Sequence, residues 1–190
     1  MIRIENISKV YEKPVRCAAL RDISLVFPDT GLVVVAGESG CGKTTLVNIL
    51  SGLDTPTSGS VEKDFDVPGA YVFQDSRMIG NMTLEENLRL AADITGEKPD
   101  IPAYLSRYGL EEVKDHTPNR LSAGQNQRAA VLRAVLMNRA VIFADEPTGN
   151  LDRENAERVA ALLKEESAKR LVVTVTHDRE LFGKYADRII

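Results

Sequence analysis

Apolar residues follow two different strand patterns along this chain. Near the N-terminus, where apolar and polar residues alternate, Ile2, Ile4 and, after a slip of register, Ile7 predict an edge or half-buried strand. A second alternating strand is predicted at 23–27, before a turn at 28–31. Four later runs are apolar almost throughout: LVVVAG (32–37), GAYVFQ (69–74), AVIFAD (140–145) and LVVTVT (171–176). Strands that are apolar on both faces are typical of a parallel sheet covered by helices.

Helical patterns separate these strands. We predict helices at 43–51, 84–94, 124–137 and 153–169. No convincing strand occurs between about Asp75 and Asn138, and the chain stops at ADRII just as another strand begins. The block between Asp75 and Asn138 is therefore predicted to be a helical insertion between two strands of the sheet.

These patterns predict a single α/β domain over residues 1–190. Its core comprises residues 1–75 and 139–190, with a mainly parallel sheet and N-terminal antiparallel strands, and residues 76–138 form the inserted helical subdomain. A length of 190 residues suffices for one such core, and 43% hydrophobic with 27% charged residues is ordinary for a globular domain.

Charge and cysteine content narrow the class of protein. The net charge of −4 argues against a nucleic-acid-binding surface, and no apolar run approaches the roughly 18 residues that cross a bilayer. The N-terminus lacks the apolar stretch of a signal peptide. Cys17 and Cys41 provide no disulfide framework, so we expect a reduced, cytoplasmic setting.

A phosphate-binding motif lies between the first apolar run and the first helix. The segment Gly37–Thr44 fits G-x-x-x-x-G-K-[ST] in the strand–helix context that the motif requires. Its glycines let the backbone N–H groups surround phosphate oxygens, Lys43 can reach the β- and γ-phosphates, and Thr44 offers a hydroxyl to Mg²⁺. The flanking elements disfavour the alternative, a glycine-rich turn. We predict ATP and Mg²⁺ as ligands, with contacts from Gly37, Ser39, Gly40, Cys41, Gly42, Lys43, Thr44 and Thr45.

Two acidic residues end the apolar strand at 140–145. Ligands bind at the carboxyl ends of parallel strands, so Asp145 and Glu146 are expected beside the phosphate loop. Asp145 is placed to hold Mg²⁺ and Glu146 to polarise the attacking water. The alternative, a pair of solvated acids without a ligand, is disfavoured because the phosphate loop is present.

The start of the third predicted helix offers another phosphate site. Ser122 in LSAGQ (121–125) is a good N-cap, and the small residues after it leave backbone N–H groups approachable. Taken alone, this segment is an ordinary capped helix.

Together these motifs resemble the ATP-binding-cassette (ABC) ATPases, the motor subunits of ABC transporters, over essentially the whole chain. The order is a phosphate loop, Gln74 in YVFQD, the signature LSAGQ, the acidic strand end VIFADE, GNLD (149–152) and His177 in VTHD. GLDTPTSG (52–59) and the extended loop after Tyr11 resemble the branch of lipoprotein-releasing, macrolide-export, antimicrobial-peptide-resistance and cell-division ATPases. The resemblance implies a P-loop NTPase core.

The resemblance also implies a composite site. In the family, the signature of one copy closes over the ATP held by the phosphate loop of another, which assigns Ser122, Gly124 and Gln125 to the nucleotide in trans and Asp152 to the contact between the two sites. It further implies that Gln74 senses Mg²⁺ and the γ-phosphate and that His177 contacts the γ-phosphate.

Tyr11 corresponds to the family's adenine-stacking aromatic, although an ordinary strand-end tyrosine stays an alternative. The predicted catalytic residues are therefore Glu146, His177, Lys43 and Gln74, and the predicted Mg²⁺ ligands are Thr44, Gln74 and Asp145.

The sequence departs from the family at several places. Ala123 replaces the usual glycine of the signature, for which we expect tolerance with slower turnover, and Asn126 replaces a more usual glutamine. The stretch between Ser58 and Gln74 is short, so a reduced antiparallel arm is expected. The chain also ends before the family's last strands and helices, so we expect a trimmed form or the cassette of a longer polypeptide.

The resemblance implies that two copies of the chain dimerise around ATP and hydrolyse it to drive a membrane permease. It places the chain on the inner face of the cell membrane and implies no nucleic-acid partner. A cassette ATPase serving signalling or cell division is the alternative. Relatives in DNA repair and translation usually carry two cassettes or a long coiled-coil insertion, and no heptad run appears here. A non-catalytic nucleotide-binding regulator is disfavoured by the intact Lys43, Asp145, Glu146 and His177.

Overall fold

The computed structural model describes residues 1–12, 14, 16–65, 68–96 and 98–190. In chain order its elements are β1 (Ile2–Tyr11), β2 (Cys17–Phe27), β3 (Gly31–Ala36), α1 (Lys43–Ser51), β4 (Ser58–Lys63), β5 (Ala70–Val72), α2 (Leu84–Asp93), α3 (Ile101–Arg107), two 3-10 turns (Glu111–Val113 and Pro118–Arg120), α4 (Ala123–Leu136), β6 (Val141–Asp145), α5 (Arg153–Ser167), β7 (Leu171–Thr176), α6 (Arg179–Gly183) and β8 (Arg188–Ile189).

The N-terminal strands form an antiparallel sheet in the order β2-β1-β4. Ile2 pairs with Phe27 and Ile4 with Leu25, and the register shifts between Ile4 and Ile7. All three isoleucines are buried. The half-buried strand and its slip are therefore confirmed, while an edge position is wrong, because β4 pairs with the other side of β1.

The second sheet is parallel throughout, in the order β5-β6-β7-β3-β8. Its strands lie within one or two residues of the predicted runs, and the strand expected at the C-terminal ADRII is β8. Along β7, Val172 belongs to one apolar cluster and Val173 to the other, so successive side chains are buried on opposite faces. The predicted α/β fold with N-terminal antiparallel strands is confirmed.

Helices cover one face of the parallel sheet, and α1 with the antiparallel sheet covers the other. The apolar side chains of α2 to α6 share one cluster with the sheet, through residues such as Leu88, Leu105 and Leu132. Within the described part of the chain, no strand interrupts the stretch between β5 and β6, as predicted. The bounds of β4, α3 and α6 were not predicted, although β4 lies in the stretch between Ser58 and Gln74 where a reduced antiparallel arm is expected.

Because β3, β6 and β7 run parallel and are neighbours, their carboxyl ends reach the same edge of the sheet. The loops that follow them begin at Gly37, Glu146 and His177. This topology brings three distant stretches of sequence to one place, where ligands bind in sheets of this kind.

Candidate functional site

The phosphate loop connects β3 to α1 and depends on glycine at its end. Gly42 is the N-cap of α1 at φ 97°, and a Cβ there would lie 2.3 Å from the carbonyl oxygen of Ala19 in β2. The N–H groups of the first turn of α1 have no partner within the helix and can bind an anion. Ser39, Gly40 and Cys41 are exposed in the loop, and Gly37 and Thr45 are partly buried.

Lys43 is 8% exposed and is held by its own loop. Its Nζ donates to the carbonyl oxygens of Gly37, at 2.8 Å, and Glu38, at 2.9 Å, and lies 3.9 Å from Oε1 of Glu146. An ammonium group has three N–H donors, so one remains for a ligand after the two carbonyl bonds.

Thr44 and Asp145 bring two oxygen groups together next to Lys43. The Thr44 hydroxyl donates to Oδ1 of Asp145 at 3.1 Å, and the Tyr71 hydroxyl lies 3.4 Å from Oδ2. Burial raises the pKa of Asp145, and the nearby Glu146 charge acts in the same direction, while the hydrogen bond from Thr44 acts against them. A cation at this carboxylate would relieve the cost of keeping it ionised.

The donor set at this pair fits Mg²⁺ that arrives with a nucleotide. Among the described residues no cluster of three or more His, Cys, Asp or Glu side chains could hold a metal. Mg²⁺ needs no such cluster, because it binds through one or two protein oxygens together with substrate phosphates and water. A hydroxyl and a carboxylate beside a phosphate loop supply those oxygens.

Glu146 is fixed between Lys43 and His177. Its backbone has φ 45°, unusual for a residue other than glycine, and its N–H donates to the carbonyl oxygen of Val175 in β7 at 2.9 Å. Oε2 lies 2.9 Å from Nδ1 of His177 and accepts from the backbone N–H of His177 at 3.3 Å. The side chain of Glu146 is 16% exposed and that of His177 is 64% exposed, so the imidazole borders solvent.

Gln74 is exposed in the loop after β5. A Cβ on Gly149 would lie 3.5 Å from Nε2 of Gln74, which places this amide beside the loop that follows Glu146. The structure thus brings Gln74 close to the acidic strand end.

The signature segment caps α4. Ser122 is the N-cap: its Oγ accepts from the Gln125 N–H at 3.2 Å, and its own N–H donates to Oε1 of Gln125 at 2.9 Å. Ser122 and Ala123 are exposed, whereas Gly124 is buried. A Cβ on Gly124 would lie only 2.3 Å from Oδ1 of Asn155, so the position has no room for a side chain. The side chain of Gln125 is therefore used in the helix cap.

Asp152 caps α5 and is linked to α4. It accepts from the backbone N–H of Asn155 at 2.9 Å and from its Nδ2 at 2.8 Å, and these bonds hold the pKa of Asp152 below its usual range. Arg128 of α4 donates to Oδ1 of Asn155 at 2.7 Å. A chain of hydrogen bonds thus joins the predicted signature helix to the predicted dimer contact.

Tyr11 ends β1 and is 36% exposed. It pairs with Cys17 of β2, and Ala19 of the same strand lies where a Cβ on Gly42 of the phosphate loop would meet it. The ring therefore lies one strand away from the stretch that covers the loop.

Sequence patterns did not single out several polar residues that support these groups. Their partners are distant in sequence, so no local spacing could have revealed them. They include Tyr71 beside Asp145, Arg128 and Asn155 between the two helices, and Arg133, which donates to the carbonyl oxygens of Ser76 and Arg77.

A glycine loop between strand and helix, followed by Lys-Thr and joined by an Asp-Glu strand end, defines a P-loop nucleotide hydrolase. Comparison with known proteins narrows this class. The family model described as "ABC transporter" matches residues 20–149. The lipoprotein-releasing system ATP-binding protein LolD of Saccharophagus degradans is 36% identical over 94% of this chain and 88% of its own length.

Two further comparisons agree with this family. The macrolide export ATP-binding/permease protein MacB of Chlorobaculum tepidum is 33% identical over the whole chain, which spans 32% of that protein. The dimeric, post-hydrolysis structure of the ATP-binding cassette MJ0796 bound to ADP and Pi superposes with a TM-score of 0.86 and 32% identity, over the whole chain and 93% of the cassette.

The chain therefore belongs to the ABC transporter family and is an ATP-binding ATPase of that family. The family and the branch expected from the motifs are confirmed. None of the helices in the described part of the chain has the length and apolar character of a membrane-spanning segment.

Proposed function

We propose that the chain is the motor subunit of an ABC transporter, closing with a second copy around two ATP molecules to drive a membrane permease. The observation that carries the proposal is the position of the Glu146 carboxylate, 3.9 Å from Lys43 Nζ and 2.9 Å from His177 Nδ1. A base, a cation and an imidazole thus meet beside the loop that would hold the phosphates.

The chemistry follows from these positions. The free N–H of Lys43 and the amides at the start of α1 bind the phosphates, and Glu146 orients the attacking water and takes its proton. Since Nδ1 of His177 faces Glu146, Nε2 is the nitrogen left for the γ-phosphate. Thr44 and Asp145, with Gln74, would hold Mg²⁺, which would supply positive charge to the reacting phosphates.

A second copy would complete the site. The Ser122 hydroxyl accepts the cap bond and so keeps its own proton for an acceptor outside the chain, at the exposed end of α4. We propose that Ser122, Gly124 and Gln125 contact the γ-phosphate of the partner copy, with Asp152 at the contact between the two sites. The MJ0796 cassette, dimeric with ADP and Pi, supports this arrangement.

The permease is proposed as a separate subunit or a fused domain. MacB, named as an ATP-binding/permease protein, combines both parts, and LolD is named for a lipoprotein-releasing system. We place the chain on the inner face of the cell membrane, with residues 76–138 as a helical subdomain and Gln74 as its link to the permease.

Phosphate release tests the ATPase part of the proposal. With ATP and Mg²⁺, turnover per subunit should rise with protein concentration, because the composite site needs two copies; a constant turnover would contradict the composite site. Lys43→Ala should lose ATP binding in calorimetry, while Lys184→Ala, an exposed lysine of the last helix region, should keep it. Unchanged affinity in Lys43→Ala would contradict the phosphate-loop assignment.

Affinity purification from detergent-solubilised membranes of cells that express the tagged chain tests the partner. A permease of matching stoichiometry supports the transporter role. Recovery of a cell-division or signalling complex without a substrate path would favour the alternative function.

A further inference from the structure

A charged pair fixes Tyr11, which the family resemblance assigns to stacking on the nucleotide base. The Tyr11 hydroxyl donates to Oδ2 of Asp54 at 2.8 Å, and Lys9 Nζ donates to Oδ1 of the same carboxylate at 2.6 Å. The Lys9 ammonium also lies 4.9 Å from the centroid of the Tyr11 ring. The side chains of Lys9 and Asp54 are 13% and 25% exposed, so this pair is more shielded from solvent than an ordinary surface ion pair.

The position of Asp54 is itself tied to the phosphate loop. Helix α1 begins at Lys43 and ends at the C-cap Gly52, and the backbone N–H of Asp54 donates to the carbonyl oxygen of Asn48 in that helix at 3.1 Å. The helix that presents Lys43 at one end therefore carries the Tyr11 anchor at the other.

Tyr11 approaches the same loop through the antiparallel sheet. Its partner Cys17 lies two residues before Ala19, whose carbonyl oxygen borders Gly42. Two strand residues span roughly 7 Å and adjacent strands lie about 5 Å apart. The ring is therefore within reach of the base of a nucleotide whose phosphates lie in the loop.

We infer that Asp54 and Lys9 are positioning residues for the nucleotide base: they hold the Tyr11 ring in place before ATP arrives, so that the base stacks on the ring face opposite Lys9. The inference rests on the proposed stacking role of Tyr11. A ring that is already ordered spares binding the cost of immobilising one side chain, which corresponds to about 2- to 10-fold in affinity.

The test compares two ligands by calorimetry, Mg-ATP and inorganic Mg-tripolyphosphate, which has phosphates and no base. Asp54→Ala and Tyr11→Phe should each weaken ATP binding about 2- to 10-fold, and the double variant should lose no more than one of them. Lys9→Met should act in the same direction. Tripolyphosphate affinity should stay at the wild-type value in all of these variants.

Tyr11→Ala separates this inference from the proposal beneath it. It should weaken ATP binding more than Tyr11→Phe, and adding Asp54→Ala to it should change nothing further. If Tyr11→Ala binds ATP as wild type does, the stacking role itself is wrong. If Tyr11→Ala weakens binding while Asp54→Ala does not, or if Asp54→Ala weakens both ligands equally, the positioning role of Asp54 is wrong.

Discussion

Replacing Glu146 by glutamine should separate ATP binding from ATP hydrolysis. Glutamine has nearly the same shape, so the backbone at φ 45° and its bond to the Val175 carbonyl can persist. The change removes the carboxylate that lies 2.9 Å from His177 Nδ1 and 3.9 Å from Lys43 Nζ. The base is lost while the phosphate loop is untouched.

The expected loss of hydrolysis rate follows from the proposed role of Glu146 as general base. Loss of a positioned general base costs about 10²- to 10⁴-fold in rate, or about 3–5 kcal/mol in activation free energy. ATP affinity should be unchanged or higher, because a negative charge beside the γ-phosphate disappears and Lys43 keeps its free donor. The variant should therefore also accumulate as an ATP-bound dimer.

The assay is steady-state phosphate release at saturating Mg-ATP, with ATP affinity from calorimetry and dimer mass from light scattering. Glu180→Gln is the matched control, because Glu180 is 84% exposed and forms its ion pair with Arg153, whereas Glu146 contacts Lys43 and His177. It should turn over as wild type does. A turnover of Glu146→Gln within tenfold of wild type would refute the base assignment, and a large loss of ATP affinity would refute the claim that only hydrolysis is affected.

Four further substitutions test other parts of the site. Asp145→Asn without Mg²⁺ should melt at or above the wild-type temperature, because burial raises the pKa of Asp145 and its ionisation therefore costs stability once the pH exceeds the unfolded pKa of about 3.9. The difference in melting temperature should vanish as the pH falls from the raised folded pKa to that unfolded value, and Mg-ATP should no longer stabilise the variant. Gly124→Ala should lower the free energy of unfolding by about 1–3 kcal/mol, since its Cβ would meet Asn155 at 2.3 Å, whereas Ala123→Gly should cost at most about 1 kcal/mol and raise turnover. Arg133→Met should lower the free energy of unfolding by about 1–3 kcal/mol and reduce phosphate release, because two backbone carbonyls of the loop after Gln74 lose their donor. Melting curves check the stability changes of these variants, and phosphate-release curves check their turnover.

The elements that could be predicted from the sequence are those whose burial leaves a local pattern. The strand Leu171–Thr176 coincides with the predicted run because every residue in it is buried. The strand Ser58–Lys63 has no such pattern, since Val61 is its one partly buried apolar residue, and it is a strand because it pairs with β1. Helix α3 has seven residues and too few turns for its period to be recognised.

The candidate site likewise contains parts that the sequence predicts and parts that it does not. The phosphate loop is one continuous segment, so its chemistry could be predicted directly from residue types. The supporting contacts join residues far apart in the chain: Tyr71 with Asp145, 74 residues apart, and Arg133 with Ser76, 57 residues apart. Such pairs are specified by the packing of strands and helices, and no spacing rule on a single sequence contains them.

Helix α4 connects the predicted parts of the site more directly than any motif indicates. Ser122 is its N-cap, and nearly two turns later Arg128 donates to the side chain of Asn155. Asn155 in turn donates to Asp152, the cap of α5, and Arg133 near the end of α4 donates to the loop that follows Gln74. A helix of 14 residues is about 21 Å long. We expect a displacement of α4 to affect the signature, the Asp152 cap and the Gln74 loop together, because α4 carries the signature and donates hydrogen bonds to Asn155, which binds Asp152, and to the loop after Gln74. The residues proposed to contact the ATP of a partner copy and those proposed to face the permease are thus connected through one helix, which would give the proposed motor subunit a physical route from nucleotide binding to its membrane partner.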